Sequence, residues 1–182
     1  MTTLLITHPA CLDHLVPSGH PERPDRLRAV DRALETEKFQ MLARELAPMA
    51  SLESIALCHP MDYIVGIRDA SPKQGMVQLD GDTSMSPGSY EAALRAVGGG
   101  ILAVDEVVSR KAANAFVATR PPGHHAETAR PMGFCFFDNS AIAARHAQRQ
   151  HGVGRVAIVD FDVHHGNGSQ EIFWGDKTVM YC

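Results

Sequence analysis

Two histidine pairs constrain this chain most, and each is placed just beyond an apolar run that predicts a buried β-strand. One pair, at 124–125, follows the run 115–119 (AFVAT), and the other, at 164–165, follows the run 156–161 (VAIVDF). An alanine-rich helical pattern over 139–150 separates the two runs. This order predicts a βαβ unit with parallel strands and a right-handed crossover. Since ligands gather at the carboxyl ends of parallel strands, both pairs are expected at the same edge of the sheet.

Composition limits the class of protein. The 182 residues are 45% hydrophobic and 21% charged, as in ordinary globular domains, so a chiefly disordered chain is not expected. The formal net charge of -4 argues against a nucleic-acid partner. No apolar run approaches the ~20 residues that span a bilayer, so no membrane partner is expected. We also read no signal peptide at the start, and the scattered cysteines, without a CxxC pair, predict reduced thiols in the cytoplasm.

The remaining pattern completes an α/β fold with a central parallel sheet. We predict strands at 3–7 and 178–181, a helix with Pro24 in its first turn, an N-cap at Ser51, a helix over 61–69, and a helix opened by Ser86 and Pro87. Three consecutive glycines, at 98–100, lie inside that last helix. They favour close packing of the helix on the sheet over a phosphate loop, because no strand leads into them and no GKS/T follows.

Asp160, Asp162 and His164 alternate along the chain at a predicted strand end. If the backbone stays extended they share one face. Carboxylate and imidazole ligands without thiolate suit a divalent metal of the zinc type. The alternative is a solvated strand end, which fits poorly with the apolar run before it, since buried carboxylates need a partner.

His124 and His125 lie in the stiffened turn RPPGHHA. Paired histidines are more often structural or exposed when no partner is known. Here Asp160 and Asn167 are candidate partners that could orient each Nδ1–H. The aromatic stretch 133–138 (GFCFFD) is typical of a core, and its place between the two loops favours one ring lining a pocket.

Three motifs together carry a family resemblance. RPPGHHA (120–126), GFCFFDN (133–139) and VDFDVHHGNGSQ (159–170) resemble the zinc-dependent histone deacetylase family, which includes bacterial acetylpolyamine amidohydrolases and acetoin-utilisation proteins. The loop GHPERPDR (19–26) is similar to the class II branch. The resemblance implies a three-layer α/β/α fold of the arginase/deacetylase type, with residues 1–182 as the N-terminal portion of a single deacetylase domain.

The resemblance also implies a role for particular residues. Asp162 and His164 match two zinc ligands, and His125 matches the general base. His124 matches an electrostatic or acid partner backed by Asp160, and Asn167 stands behind the base. Zinc would polarise an amide carbonyl and acidify bound water, and hydrolysis would yield acetate and a free amine. The substrate is an acetylated amine, with lysine side chains and polyamines both open, and the oligomeric state is open as well.

Further residues are assigned by the same resemblance. Gly133 and Phe134 match an acyl-lysine tunnel, Asp82 a rim residue, and Arg26 an arginine that lines an internal channel. Family members also bind monovalent cations such as K⁺. The matching positions are Asp160, Asp162 and the His164 carbonyl at one site, and Phe173, Asp176 and Val179 at another.

Two parts of the family pattern have no match in this sequence. The pattern requires a third zinc ligand, an Asp in a later loop, and a Tyr after a Gly-Gly pair that stabilises the oxyanion. Tyr63, Tyr90 and Tyr181 do not follow such a pair. We therefore expect the N-terminal part of a longer enzyme, apparently truncated and inactive by itself, since losing one oxyanion donor costs ~10²–10³ in rate.

Two other functions compete with this interpretation. One is a non-catalytic acyl-lysine-binding module, against which the intact histidines and ligands argue. The other is a ureohydrolase with two manganese ions, which needs further carboxylates where this chain has His165, Gly166 and Asn167.

Overall fold

The largest sheet in the computed structural model, which describes residues 2–182, has three parallel strands in the order β2-β1-β5. The strands are β1 (Thr3–Thr7), β2 (Ala43–Leu46) and β5 (Asn114–Ala118). Leu5 pairs with Arg44 on one side and with Phe116 on the other. The apolar run of β1 is buried, as expected for a central parallel strand.

A second pair of parallel strands carries the other histidine loop. It consists of β6 (Val156–Ile158) and β7 (Val179–Tyr181), with Val156 opposite Val179. The strand predicted at 178–181 is confirmed, but the one predicted at 156–161 ends three residues early. A short antiparallel hairpin is formed by β3 (Val77–Gln78) and β4 (Ser84–Met85).

Six α-helices surround these strands in residues 2–182. They are α1 (Pro24–Leu34), α2 (Leu52–Ile55), α3 (Met61–Ala70), α4 (Ser89–Val108), α5 (Asn139–His151) and α6 (Asn167–Ile172), with short 3-10 turns at Pro9–Leu12 and Glu37–Phe39. Pro24 occupies the first position of α1 as predicted. Asp138 caps α5 by accepting a hydrogen bond from the Ala141 N–H at 2.9 Å, and Gly152 ends the helix with a φ of +66°. No helix in this range is both long and apolar enough to cross a bilayer.

The start of α4 differs from the prediction. The helix begins at Ser89 with Gly88 at the N-cap, so Ser86 and Pro87 lie before it. The Ser86 hydroxyl is engaged elsewhere, since it accepts a hydrogen bond from the Leu15 N–H at 2.9 Å. The Ser89 hydroxyl in turn accepts from the Ser86 N–H at 2.8 Å.

The glycines of α4 allow close packing, as predicted. A Cβ atom on Gly98 would overlap the carbonyl oxygen of Pro48, and one on Gly99 would lie 2.9 Å from the Val117 Cγ1 of β5. Gly99 therefore packs directly on the sheet and Gly98 packs on the segment that follows β2, and neither position has room for a side chain. The main hydrophobic core lies on the other side of α4, where α3 and α5 pack on Phe136 and Phe137.

The strands that carry the histidine loops are less buried than predicted. β5 pairs only with β1, and β6 only with β7, within residues 2–182. Phe116 is 50% exposed and Val159 is 67% exposed. A cavity of about 480 Å³ lies between the unpaired edges, lined by Val117 of β5 and Ile158 of β6. The expectation that both runs form buried strands is therefore wrong, because each has one edge without a paired strand in the described residues.

Candidate active site

The loops after β5 and β6 meet at one edge of the structure. The ring centroids of His124 and His125 lie 4.1 Å apart, and those of His125 and His164 lie 6.1 Å apart. All three side chains line a cavity of about 270 Å³ that also contacts Glu22, Arg26, Gly133, Phe134 and Asp162. The predicted convergence of the two loops is confirmed.

Asp160 orients His124. The Nδ1 of His124 lies 2.8 Å from the Oδ2 of Asp160, which also accepts a hydrogen bond from the Tyr181 hydroxyl at 2.9 Å. Burial works to raise the pKa of Asp160, but the bonds from His124, the Asp162 N–H and Tyr181 outweigh it and lower the pKa. An ionised carboxylate only accepts, so Nδ1 of His124 carries a proton and Nε2 is left for the cavity.

Asn167 orients His125 in the same way, but through a neutral amide instead of a carboxylate. Its Oδ1 lies 2.7 Å from the Nδ1 of His125, while its Nδ2 donates to Glu127 Oε1 at 2.9 Å. The bond to Glu127 fixes which end of the amide faces the imidazole. Because an amide oxygen only accepts, Nδ1 of His125 is the donor, and its Nε2 carries a free lone pair.

Asp162 and His164 lie on an exposed turn rather than on an extended strand. The Asp162 N–H bonds the carboxylate of Asp160 at 3.2 Å, and the His164 N–H bonds that of Asp162 at 2.8 Å. These local turns replace the strand that the alternating pattern predicted beyond Ile158. The three side chains still share one loop, but backbone-to-carboxylate bonds place them there.

A metal of the zinc type fits Asp162 and His164 as two of its ligands. The Oδ1 of Asp162 and the Nδ1 of His164 are 3.3 Å apart, which is roughly the spacing of two ligands on a tetrahedral zinc ion with bonds of about 2.0–2.1 Å. Hydrogen bonding from the His164 N–H lowers the pKa of Asp162, which keeps the carboxylate ionised. No third histidine, cysteine or carboxylate joins them among residues 2–182.

Gly133 and Phe134 form one wall of the cavity, and the side chains of Asp82 and Thr83 hold their backbone. The Oδ1 of Asp82 accepts from the Gly133 N–H at 3.1 Å, and the Thr83 hydroxyl accepts from the Phe134 N–H at 3.0 Å. Gly133 has a φ of +56°, and a Cβ there would lie 2.7 Å from the Cβ of His125. Only glycine therefore fits at this position beside the imidazole.

Phe173, Asp176 and Val179, the second predicted cation group, share one turn. The Asp176 N–H donates to the Phe173 carbonyl at 2.9 Å, and the Val179 N–H donates to the Asp176 carbonyl at 3.4 Å. The Asp176 carboxylate is bound by Arg145 at 2.6 Å. Bonds from Thr178 and then from Arg145 lower the pKa of Asp176 to about 2. The Asp176 carboxylate is thus paired with the Arg145 guanidinium. The backbone carbonyl oxygens of this turn are the groups that could bind a monovalent cation.

Sequence reasoning missed three residues that support this site. Tyr181 holds Asp160 and also accepts a hydrogen bond from the Gly166 N–H at 2.8 Å. Glu127 fixes the amide of Asn167. The position of Tyr181 at the end of the predicted strand 178–181 could have revealed it, whereas nothing in the pattern marks Glu127. The third, Glu22, forms a buried ion pair with Arg120, joined through two bonds of 2.5 and 2.7 Å, beneath the cavity.

Paired histidines and carboxylates at the ends of parallel strands place the chain with α/β proteins that carry a hydrolytic or metal site there. Residues 20–182 match the model of the histone deacetylase domain. A probable deacetylase of Methanothermobacter thermautotrophicus is 39% identical over 179 residues, covering 98% of this chain and 53% of that protein. The human polyamine deacetylase HDAC10 is 38% identical over 175 residues, covering 91% of this chain and 26% of that protein.

The fold is shared with a solved member of the same family. The crystal structure of the HDA15 HD domain superposes with a TM-score of 0.94 at 34% identity, over 99% of this chain and 52% of that one. The chain belongs to the histone deacetylase family, and its arginase/deacetylase type of α/β fold is confirmed. It spans about half the length of the archaeal relative and of the solved chain.

Proposed function

We propose that residues 1–182 supply the catalytic histidines and two metal ligands of a zinc-dependent deacetylase, as the N-terminal portion of its single domain. The enzyme would hydrolyse an N-acetyl amide to acetate and a free amine. One observation carries the proposal: His124 and His125 are each held at Nδ1, at 2.8 and 2.7 Å, beside a cavity that Asp162 and His164 share.

Asp162 and His164 are the residues that would hold the metal. Zinc held there would supply Lewis-acid chemistry for an amide carbonyl and for the attacking water. The carboxylate of Asp162 is kept in place by the His164 N–H, so one ligand is oriented by the backbone of the other. Such outer bonds are typical of functional metal sites.

The two histidines differ in the partner behind them, and this difference assigns their roles. Asn167 is a neutral amide that fixes the tautomer of His125, so Nε2 of His125 can accept a proton. Asp160 has a lowered pKa and lies 2.8 Å from Nδ1 of His124, so a carboxylate charge stands behind that imidazole. His125 is accordingly the general base, and His124 is the electrostatic or acid partner.

The wall of Gly133 and Phe134 would hold the acyl chain, and Asp82 at the rim would hold the substrate. The proposed substrate class is an acetylated amine of the lysine or polyamine type. The name of the human polyamine deacetylase supports the second of these. K⁺ would bind at the Asp160, Asp162 and His164 turn and at the carbonyl oxygens of the Phe173 turn. A cytoplasmic location stays a prediction.

The 182-residue chain by itself is proposed to be inactive. Two ligands hold zinc poorly, and no tyrosine in residues 2–182 lies after a Gly-Gly pair to stabilise an oxyanion. A non-catalytic acyl-binding module would not need two histidines with separately fixed tautomers, which favours the enzyme.

An assay of two protein forms tests the proposal. The 182-residue chain and any longer product of the same gene are each supplied with zinc and with fluorogenic acetyl-lysine or an acetylpolyamine. We expect turnover only in the longer form and its loss in His125→Ala. His165→Ala is the matched control, because that neighbouring side chain is exposed and makes no hydrogen bond in the described residues. Retained turnover in His125→Ala would refute the assignment of the base.

A further inference from the structure

A second cluster of possible metal ligands lies away from the candidate active site, on the outer helices. Asp105 is near the end of α4, and His146 and His151 are in the last turns of α5. The candidate active site lies near the other end of α5. There Asn139 lines the cavity between β5 and β6, which His124 and Asp160 also line. Twelve residues at a rise of 1.5 Å place His151 about 18 Å from that end.

The two imidazoles converge on a single oxygen atom. The Nε2 of His146 lies 2.6 Å from the Oδ1 of Asp105, and the Nε2 of His151 lies 2.7 Å from the same oxygen. The ring planes are inclined by 74°, with centroids 5.6 Å apart. All three ligand atoms lie within 4.8 Å of one another. Small rotations of the three side chains would make room for a metal ion at about 2.0–2.2 Å from each ligand atom.

The surroundings of the cluster favour a cation. No lysine or arginine bonds the Asp105 carboxylate among residues 2–182, and the nearby Lys111 is paired with Glu106 at 2.9 Å instead. The side chains of Asp105 and His151 are 42% and 24% exposed, so water can reach the group and complete a coordination shell. His146 is 11% exposed and fixes the inner side of the cluster.

A helix-to-helix hydrogen bond needs only one histidine, so the second imidazole is unexplained by packing. Two imidazole nitrogens and one carboxylate oxygen are the ligands that borderline divalent metals prefer. They come from two helices that are distant in sequence, so an ion held by all three would join the end of α4 to the end of α5.

We propose that Asp105, His146 and His151 form a second metal site for a borderline dication such as Zn²⁺, separate from the candidate catalytic pair and joining α4 to α5. This site does not depend on the proposed deacetylase activity. Its expected effect is on metal content and thermal stability.

Zinc titration of the untagged, chelator-treated full chain tests the proposal, with binding followed by calorimetry and bound metal counted after gel filtration. We expect one equivalent to be lost in His151→Gln and in Asp105→Asn. The asparagine keeps an oxygen that accepts from both histidines, so it preserves the hydrogen bonds while weakening the metal ligand. His164→Asn is the matched arm, because it removes a ligand of the candidate catalytic pair and should retain the outer equivalent.

Thermal unfolding supplies the second readout. Zinc should raise the Tm of the wild type and of His164→Asn, and it should leave the Tm of Asp105→Asn unchanged. If Asp105→Asn and His151→Gln both bind as much zinc as the wild type, with the same rise in Tm, the cluster is only a hydrogen-bonded tie between helices and the proposal is overturned. If His164→Asn is the only variant that loses zinc, the ion binds at the candidate catalytic pair and the outer site is refuted.

Discussion

At the scale of single residues, the site depends on which group stands behind each imidazole. Asp160 is itself held by Tyr181 and by the Asp162 N–H, and Asn167 is held by Glu127. These outer bonds decide where the protons of the two histidines lie. Their removal should therefore change catalysis more than stability, because the residues involved are only partly buried.

The first prediction concerns Asn167. Replacing Asn167 with Ala removes the acceptor for Nδ1 of His125, so both tautomers become populated and the free Nε2 lone pair is lost in part. We expect kcat/KM of the longer, active form to fall by roughly 10–100-fold, measured by acetate release. Glu127→Gln is the control, since a glutamine oxygen can still accept from the amide of Asn167. Equal activity of Asn167→Ala and the wild type would show that the tautomer is fixed by other means.

The second prediction concerns Gly133, which has both a positive φ and a crowded neighbour. Gly75 is the matched control, because its φ is +69° but a Cβ there would meet nothing within 4 Å. Gly75→Ala should cost only the backbone strain of about 1–2 kcal/mol. Gly133→Ala should cost more in urea unfolding and should also displace His125, lowering kcat. If the two variants were equally stable and active, contact between Gly133 and the imidazole would not matter.

At the scale of elements, the periodic segments could be predicted, but the start of α4 and the end of β6 could not. β1, α3 and α5 follow from runs and caps that act locally, such as Asp138 at the start of α5. The first residue of α4 was misplaced because Ser86 bonds Leu15, a contact between residues distant in sequence. The end of β6 was misplaced because carboxylates of Asp160 and Asp162 bind backbone N–H groups and turn the chain.

The third prediction tests the packing of α4 on its neighbours. Gly98→Ala would place a methyl group against the Pro48 carbonyl, whereas Gly100→Ala would meet only ordinary contacts at 3.5 Å. We expect Gly98→Ala to destabilise the fold by about 1–3 kcal/mol through overpacking. Gly100→Ala should be neutral or stabilising by up to about 1 kcal/mol from helix propensity. Denaturant unfolding of both variants provides the comparison, and an equal effect of the two would contradict close packing at Gly98.

At the scale of the whole molecule, a buried ion pair joins the N-terminal segment to the strand that carries the first histidine loop. Arg120 bonds both carboxylate oxygens of Glu22 and the carbonyls of Cys11 and His14, at 2.8 and 2.9 Å. Burial works to raise the pKa of Glu22, but hydrogen bonds from His14 and Arg120 outweigh it and lower the pKa to about 2. Sequence patterns reveal the glutamate and the arginine but not their pairing across 98 residues.

The fourth prediction follows from this depressed pKa. The Glu22 carboxyl has its ordinary pKa of 4.5 in the unfolded chain. Its contribution to the free energy of unfolding is therefore complete above pH 4.5 and is lost as the pH falls from 4.5 toward 2. This contribution to the free energy of unfolding is on the order of 3 kcal/mol. Glu22→Gln should lower stability at pH 7, and its stability should fall less steeply than that of the wild type between pH 5 and 2.5. Urea unfolding across this range is the measurement, with the exposed Glu37→Gln as a control; parallel curves for Glu22→Gln and the wild type would contradict the assignment.

The convergence of the two histidine loops could be predicted from the sequence, because parallel strands bring their carboxyl ends together. The supporting contacts of Glu127 and Glu22 could not, since they join segments with no shared pattern, whereas Tyr181 is marked by its place at the end of a predicted strand. The burial of β5 and β6 was overestimated for a related reason: an apolar run predicts a buried strand, but burial also depends on which strands lie beside it.

We propose above all that Asp162 and His164 hold a catalytic zinc beside His125. Acetate release by the longer form of the protein, measured after chelation and after return of a single metal, tests it most directly. We predict that activity disappears with the metal, returns with zinc, and does not return in Asp162→Asn or His164→Ala. Full activity in the chelated protein or in those two variants, or recovery with manganese but not with zinc, would contradict the claim.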